Sequence, residues 1–469
     1  MTLRQVSPFT RIASDDLPIY QRTTPDYCIF YTPGFLVLVD PPQAHAFALY
    51  LVNPQQSELP EARELRSRAV NLLKTWENRF SRPFSPLCLT LYLHNNCNMS
   101  CIYCYSSPTK KSGKKLTLFE VQSAAEVVAS NCRDQGQPFT VVFHGGGEPT
   151  LYRSQADQIL DFAQEFARMH GLELFNYIAT NGVMTAEKAA WIARRFNLVG
   201  ISCDGPESIT ARQRPPVENH PSIAVSSVAG IIDRTACIVR EAGKPLQVRV
   251  TVTPANVDRQ PEIVDYICRR LKPVEIHLEP VYRGGRMRDE DCFTASLAEE
   301  FVNGYLEARR LAAGFSIKLT TSGARPGEIH GPYCHIFRDV LNLLPGGAVT
   351  ACFKIINTEV EKAQQFIIGE SDPMRGNYIL DEARIRLLRQ KAFTLPSTCQ
   401  GCFNRYHCAG LCPDVCLLDD QSGYGNEVDI SFRCKAQKYL AERLIDEAAS
   451  MLWRSSRHNG IGSCQVTVA

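Results

Sequence analysis

Residues 87 to 104 read LCLTLYLHNNCNMSCIYC. The first seven alternate leucine with β-forming residues and read as a buried strand. The remainder is a loop with three cysteines, Cys97, Cys101 and Cys104, at C-x3-C-x2-C spacing. A structural zinc site takes four ligands, and three thiolates on one loop do not complete it. A cubane iron–sulfur cluster held by three cysteines would leave one iron open, and an open metal position is where substrate chemistry takes place.

Outward from this strand the pattern alternates. Helix 116 to 133, strand FTVVFH, helix 154 to 169, strand LFNYIA, strand LVGISC, a helix around 222 to 242, strand LQVRVTV, helix 259 to 271 and strand VEIHLEPV follow in order. Six strands alternating with helices imply an α/β fold, a partial (β/α)6 TIM-like barrel with ligands at the carboxyl ends of its strands. Ahead of it, 26 to 39 reads as two β runs around a Pro-Gly turn and 60 to 79 as an amphipathic helix, together a small N-terminal α+β module. Helix 296 to 313 leads into a stretch from 325 to 440 that is rich in Cys, Gly and Pro and poor in periodicity. Helix 435 to 454 and a polar tail close the chain. The expected divisions are 1–85, 86–315, 316–440 and 441–469.

The chain has 469 residues, 44% hydrophobic, with 51 Lys and Arg against 49 Asp and Glu. A net charge of +2 without a basic block argues against a nucleic-acid partner. No stretch reaches the roughly 18 to 20 apolar residues of a membrane span, and the first residues lack the apolar core of a signal peptide, so a cytoplasmic location is expected. Nineteen cysteines are too many for an ordinary reducing-compartment chain, and the length is wrong for a disulfide scaffold, which leaves metal ligation. Cys28, Cys88, Cys132, Cys203, Cys237, Cys268, Cys292 and Cys464 are scattered and read as small buried hydrophobes. The others form two groups.

The first group, with Tyr103 just before its last cysteine, resembles the cluster motif of radical S-adenosylmethionine (SAM) enzymes. Other strand ends agree with the resemblance. HGGGEPT carries Gly146, Gly147, Glu148 and Pro149, similar to the family's GGEP element that meets the SAM amino group. ATNG supplies Thr180 and Asn181. ISCDGP supplies Ser202 and Asp204, matching the pair that faces the SAM ribose and carboxylate, and Arg214 follows ten residues later. The resemblance implies a 4Fe-4S cluster on Cys97, Cys101 and Cys104 that chelates S-adenosyl-L-methionine and cleaves it to a 5′-deoxyadenosyl radical. His94 and His144 read either as outer donors to this site or as packed strand-end histidines. Thr210 and Ala211 depart from the His-Asp common in relatives.

The second group is Cys334, Cys352 with Gly347 before it, then Cys399, Cys402, Cys408 and Cys412 in CQGCFNRYHCAGLC, then Cys434. It resembles the SPASM domain of some radical SAM enzymes, which holds two auxiliary 4Fe-4S clusters. The family pattern implies Cys399, Cys402, Cys408 and Cys434 on one cluster and Cys334, Cys352 and Cys412 on the nearer one. That nearer cluster is either open for substrate or completed by Cys416.

The resemblance implies a RiPP maturase that modifies a ribosomal precursor peptide by crosslinking, excision, epimerisation or oxidation. A flavodoxin or ferredoxin electron donor is expected, and the N-terminal module serves a peptide or small partner protein or else caps the fold. Anaerobic sulfatase maturases share the plan but carry Asp after the cysteine matching Cys352, where this chain has Phe353 and then Lys354. A SPASM dehydrogenase of a sugar or alcohol is the other alternative. Tyr282, Arg283 and Arg286, at the end of the sixth strand, are candidates for lining the substrate cavity, with surface placement the other reading for the two arginines. A plain electron carrier and a structural zinc protein would not need the SAM-binding strand ends.

Overall fold

The structure is a computed structural model that describes residues 8–12, 17–53, 59–106, 114–217, 228–282, 284–329, 335–359, 363–372, 377–393, 399, 401–408, 427–458 and 463–467. Its main sheet is built on six parallel strands: β5 (Cys88–Leu91), β6 (Phe139–Phe143), β7 (Leu174–Thr180), β8 (Leu198–Ser202), β9 (Leu246–Val252) and β10 (Glu275–Pro280). They lie side by side in chain order. Between them run the helices Leu118–Gln135, Arg153–Met169, Ala186–Arg195, Val228–Glu241 and Gln260–Arg270. Right-handed crossovers that always step the same way put every helix on one face of the sheet. The other face is left to curl around a lumen, the arrangement of an unclosed (β/α) barrel.

Burial along the strands agrees. In β9, Leu246, Val248, Val250 and Val252 are buried, while Gln247 and Thr251 are half-buried and Arg249 is exposed. Period-two alternation sends the valines to the helices and the polar set to the lumen.

The sheet does not stop at residue 315. Following the helix Ala298–Gly314, β11 (Lys318–Thr320) pairs parallel with β10. On the opposite edge β12 (Val340–Leu343) pairs parallel with β5, and β13 (Ala348–Thr350), β14 (Ile367–Asp372) and β15 (Asn377–Leu380) continue it antiparallel to eleven strands. The expectation of a region poor in regular structure from 325 to 440 is therefore corrected by these strands and by the helix Glu382–Phe393. Strands of three or four residues are too short to show a period in sequence.

A second sheet is made by β1 (Thr10–Arg11), β2 (Tyr20–Thr23), β3 (Cys28–Thr32) and β4 (Phe35–Val39). Pro33 and Gly34, the latter at φ +83°, form the turn between β3 and β4, as a Pro-Gly pair favours. Both strands are buried throughout because the sheet is covered on both faces. Phe30, Val37, Phe47, Leu51 and Leu65 pack on one side, under the helices Ala44–Val52 and Pro60–Ser81. Ile29, Tyr31, Leu36 and Leu38 join the main core on the other.

The free edge of β4 is taken by β16 (Ser463–Thr467), antiparallel in register from Ser463 opposite Val39 to Thr467 opposite Phe35. The segment expected to be a polar tail is thus a strand, and Cys464 lies on it. The closing helix is also longer than expected, Glu427–His458. The helix expected around 222 to 242 is described as Val228–Glu241, and the helix Ala186–Arg195 escaped the sequence reading. Among the described residues no helix is long and apolar enough to cross a membrane.

An unpaired strand edge loses the hydrogen bonds that slow amide exchange. Removal of residues 459 to 469 should therefore accelerate exchange of alternate amides between Phe35 and Val39 while those of β6 and β7 keep their protection. Unchanged exchange along β4 would refute the pairing.

Candidate active site

The loop after β5 is stitched to the strand ends beside it. Its amides at Ser100 and Ile102 donate to the carbonyls of Pro215 and Gln213 at 2.7 and 2.9 Å, and the amide of Val217 donates to Asn98. Asn98 gives its side-chain amide to the Val183 carbonyl (2.9 Å) and accepts from Asn181 (2.7 Å). The loop is thereby held against the ends of β7 and β8.

Three glycines let this happen. A Cβ on Gly147 would come 1.8 Å from the Asn96 carbonyl oxygen, and one on Gly146 would come 2.6 Å from Asn95 Oδ1. Gly145 and Gly146 also have positive φ, +50° and +71°. Only a residue without Cβ permits this approach. On the other side of the loop, a Cβ on Gly285 would come 2.1 Å from the Cys104 carbonyl.

Glu148 joins the second and third strand ends. Its Oε1 accepts from the Thr150 amide, the Thr150 hydroxyl and the Thr180 hydroxyl, and its Oε2 from the Asn181 amide, at 2.7 to 3.2 Å. A buried carboxylate needs such donors to replace its hydration. Pro149, also buried, starts the short turn Pro149–Tyr152. Asp204, wholly buried, accepts from the Tyr103 hydroxyl (2.6 Å) and the Thr251 amide (3.0 Å). Arg214, equally enclosed, donates to the Tyr103 hydroxyl (3.0 Å) and the Asn181 carbonyl (3.3 Å). Ser202 ends β8 half-buried on the lumen side. At the departure from the family pattern, Thr210 is buried and donates to the Gly205 carbonyl.

Around the thiols, the Met99 amide donates to Cys97 Sγ (3.4 Å), Asn181 approaches the same sulfur (3.8 Å), and Ser106 lies 3.2 Å from Cys104 Sγ. Burial, with Glu148 adding to it, pushes the Cys97 thiol up to about 12, and burial pushes Cys101 up to about 11. Thiolates here need a nearby positive charge. Among the described residues no three Cys, His, Asp or Glu side chains converge tightly enough for a single metal ion.

Of the second group, Cys334, Cys412 and Cys416 lie outside the described residues, as does Arg283. Cys399, Cys402 and Cys434 share one neighbourhood around Lys438, and Cys408 Sγ bonds Gln437 on the same helix. Cys352 is buried beside Tyr92 and Tyr105, and Tyr105 in turn neighbours Cys104. Phe353 sets its ring edge-on to Tyr105 at 5.3 Å and its carbonyl accepts from Tyr92.

Of the scattered cysteines, Cys28, Cys132, Cys203, Cys268 and Cys292 are buried. Cys88 is only partly so. Cys237 departs further from expectation, half-exposed and donating to Glu241 at 3.2 Å.

Tyr282 donates to Glu279 and stacks under the Arg433 guanidinium at 3.9 Å. Arg286 grips the loop: its amide donates to the Cys104 carbonyl (3.1 Å) and its guanidinium to the Cys101 carbonyl (3.4 Å). It also lines, with Ser100, Ile102, Thr253, Pro254 and Met287, a cleft of about 720 Å³. His94 packs its ring on Tyr152 and accepts the Asn96 amide at Nδ1, a bracing role within the loop.

Sequence reasoning missed Asn98, Gly285 and the His277–Glu279 pair at 2.8 Å. Burial pushes the Glu279 carboxyl up, but His277, Tyr282 and the Ser322 amide outweigh it and hold it at about 2. The alternating polar residues of β9 and β10 were the available signal.

Two variants and one titration test this geometry. Glu148→Gln sets a side-chain NH2 against a backbone amide whichever way it turns, since each carboxylate oxygen accepts one. It should destabilise the protein by about 2 kcal/mol in denaturant unfolding; no loss would mean the site relaxes freely. Gly147→Ala should lower the yield of folded protein and its retained iron more than Gly145→Ala, whose obstacle is the movable Tyr92 ring. Burial lowers His94 to about 4 and His144 to about 3, with Lys115 and Arg249 adding to it. The unfolded chain protonates these histidines first, near 6.5, so their stability is whole above that pH and drains away as pH falls toward 4. Denaturation midpoints should fall between pH 7 and 5, and less steeply for His94→Asn.

Residues 91–225 match the Radical SAM superfamily. Mycofactocin maturase MftC of Mycolicibacterium smegmatis is 28% identical over 275 residues, 57% of this chain and 64% of the relative. The cysteine-type anaerobic sulfatase-maturating enzyme of Clostridium perfringens is 27% identical over 118 residues, 24% of this chain and 32% of that one. The chain thus spans less than two thirds of either curated relative. The solved structure of native anSMEcpe with bound AdoMet superposes with TM-score 0.60 at 15% identity, covering 78% of this chain and 99% of that one, a likeness of fold. The superfamily match begins at the strand that delivers the cysteines and ends beyond Arg214, so it spans the cysteine loop and its bonds to Glu148, Asn181, Asp204 and Arg214: residues 91–225 match a radical SAM domain.

Proposed function

We propose that this chain is a radical SAM enzyme of the SPASM type that modifies a ribosomally made precursor peptide. The observation that carries the reading is the presence of two thiol sets. Cys97, Cys101 and Cys104 stand on the loop after β5, and Cys104 and Cys352 both neighbour Tyr105. Cys399, Cys402 and Cys408 gather against Cys434 farther along.

The residues present fit the implied cofactors. The loop offers three thiols, and the Met99 amide and the Asn181 side-chain amide approach the Cys97 sulfur. Cys97, Cys101 and Cys104 would hold a 4Fe-4S cluster, which when bound would supply the electron for reductive cleavage of S-adenosylmethionine. Tyr103, Asp204 and Arg214 keep the loop in one position, and Glu148 keeps Thr180 and the Asn181 amide in place beside it. Cys399, Cys402, Cys408 and Cys434 suit one auxiliary 4Fe-4S cluster, and Cys352, with Cys334 and Cys412, a second. Ile102, next to Cys101 and 42% exposed, gives a flavodoxin or ferredoxin donor a surface beside the loop.

Two similar proteins are named for maturation, which supports a peptide or protein substrate over a sugar. Formylglycine-type oxidation is the weaker reading, because Phe353 puts a carbonyl and a ring where an acid would serve as base.

After anaerobic reconstitution the protein should hold about twelve iron atoms per chain, four for each of three clusters. Joint replacement of Cys97, Cys101 and Cys104 by Ala should remove about a third of that iron and abolish 5′-deoxyadenosine formation. Continued formation would sink the assignment, and about four iron with zinc would remove the auxiliary clusters from it.

A further inference from the structure

The lumen contains a guanidinium with no acid on it. Arg249 lies at the middle of β9, opposite Ser202 of β8 and His277 of β10, all on the face away from the helices. Protein surrounds it, yet its side chain is exposed, so it borders an internal space that solvent enters. Among the described residues no carboxylate comes within ion-pair distance. The two acids on the neighbouring strand are engaged elsewhere: Glu279 with His277, Tyr282, Thr321 and Ser322, and Glu275 with Gln247 and Thr320.

A second donor lies behind the guanidinium. Tyr177 of β7 is 93% buried, and its hydroxyl, closed off from solvent, has the Arg249 guanidinium beside it and no acceptor for its own proton. It reaches that place across Gly200 of β8, where a Cβ would come 2.1 Å from the hydroxyl oxygen. A guanidinium only donates, so it cannot take the hydroxyl proton, and a buried donor without an acceptor is costly. A guanidinium with no acid on it facing enclosed solvent, backed by a hydroxyl short of an acceptor, is what a planar anion with two oxygens would satisfy.

We propose that Arg249 and Tyr177 form a subsite for a carboxylate of the substrate, either a free chain terminus or an Asp or Glu side chain. The proposal rests on the reading of the chain as a peptide-modifying enzyme. It deepens that reading by placing an acidic group of the peptide at the level of Arg249 on β9, within the lumen. Lys354, whose ammonium lies 3.3 Å from the position a Cβ would take on Gly284, adds positive charge to the loops beyond the end of β10.

The test measures binding, not turnover, so it stands apart from the iron and SAM-cleavage experiments. The reconstituted full chain with SAM is titrated calorimetrically with N-acetyl-diglycine and with its C-terminal amide. The acid should bind about tenfold or more tightly than the amide. Arg249→Gln should erase the difference, Arg249→Lys should keep part of it, and Tyr177→Phe should weaken the acid alone by a few-fold. SAM binding to Arg249→Gln, followed by equilibrium dialysis, should stay within about twofold of the unaltered protein. Equal binding of acid and amide, or binding of neither, overturns the subsite, a comparison that needs no variant to fold. Loss of SAM binding in Arg249→Gln with the acid preference intact overturns it too, because the arginine would then serve the SAM carboxylate. Distinguishing acid from amide without SAM cleavage would leave the subsite standing and remove the radical reading.

Discussion

Arg214 is a full positive charge sealed inside the protein, and the candidate site is arranged around its need for partners. Its guanidinium reaches the Tyr103 hydroxyl and the Asn181 carbonyl, and Tyr103 passes its own proton bond to the buried Asp204. One charge pair bridged by a phenol thus fastens the cysteine loop to the ends of β7 and β8 at once. Removing any member would leave a buried charge or hydroxyl uncompensated, which costs more than the bond itself. The aromatic residue before the third cysteine is therefore a structural strut whose hydroxyl matters as much as its ring.

The direction of winding decides what the loop faces. Because every crossover steps the same way, helices cover one side of the sheet and the strand ends gather their polar residues on the other. Gly200 and Gly147 are complementary cases of the same need: one leaves room for Tyr177 inside the lumen, the other lets the second strand end press on the loop. The eleven-stranded sheet extends this frame through β12 to β15, so Cys352 is carried by the same sheet that carries the first three cysteines. Their common neighbour, Tyr105, lies between two loops set by one hydrogen-bonded platform.

Two histidine environments show how position outweighs residue type. His277 is bonded to Glu279, Thr320 and Ser322 and holds an acid in its charged form. His144, buried near Arg249, is held neutral. His277 lies within β10 and His144 just past the end of β6, and neither environment can be read from its flanking residues.

The amino-acid sequence by itself determined the order of the six strands from 88 to 280 and of the helices between them other than Ala186–Arg195, the loop with its three thiols, and the Gly-Gly-Glu-Pro, Thr-Asn and Ser-Cys-Asp strand ends, because these depend on local period and on residues a few positions apart. Tertiary structure alone decided that Glu148 spends its oxygens on Thr150, Thr180 and Asn181, that Arg286 clasps the cysteine loop, and that β16 closes the first sheet. It also decided that Arg249 stands without an acid in an enclosed space. Each of these joins residues dozens to hundreds of positions apart, and such contacts follow from strand register and the direction of winding, which leave no period in the chain.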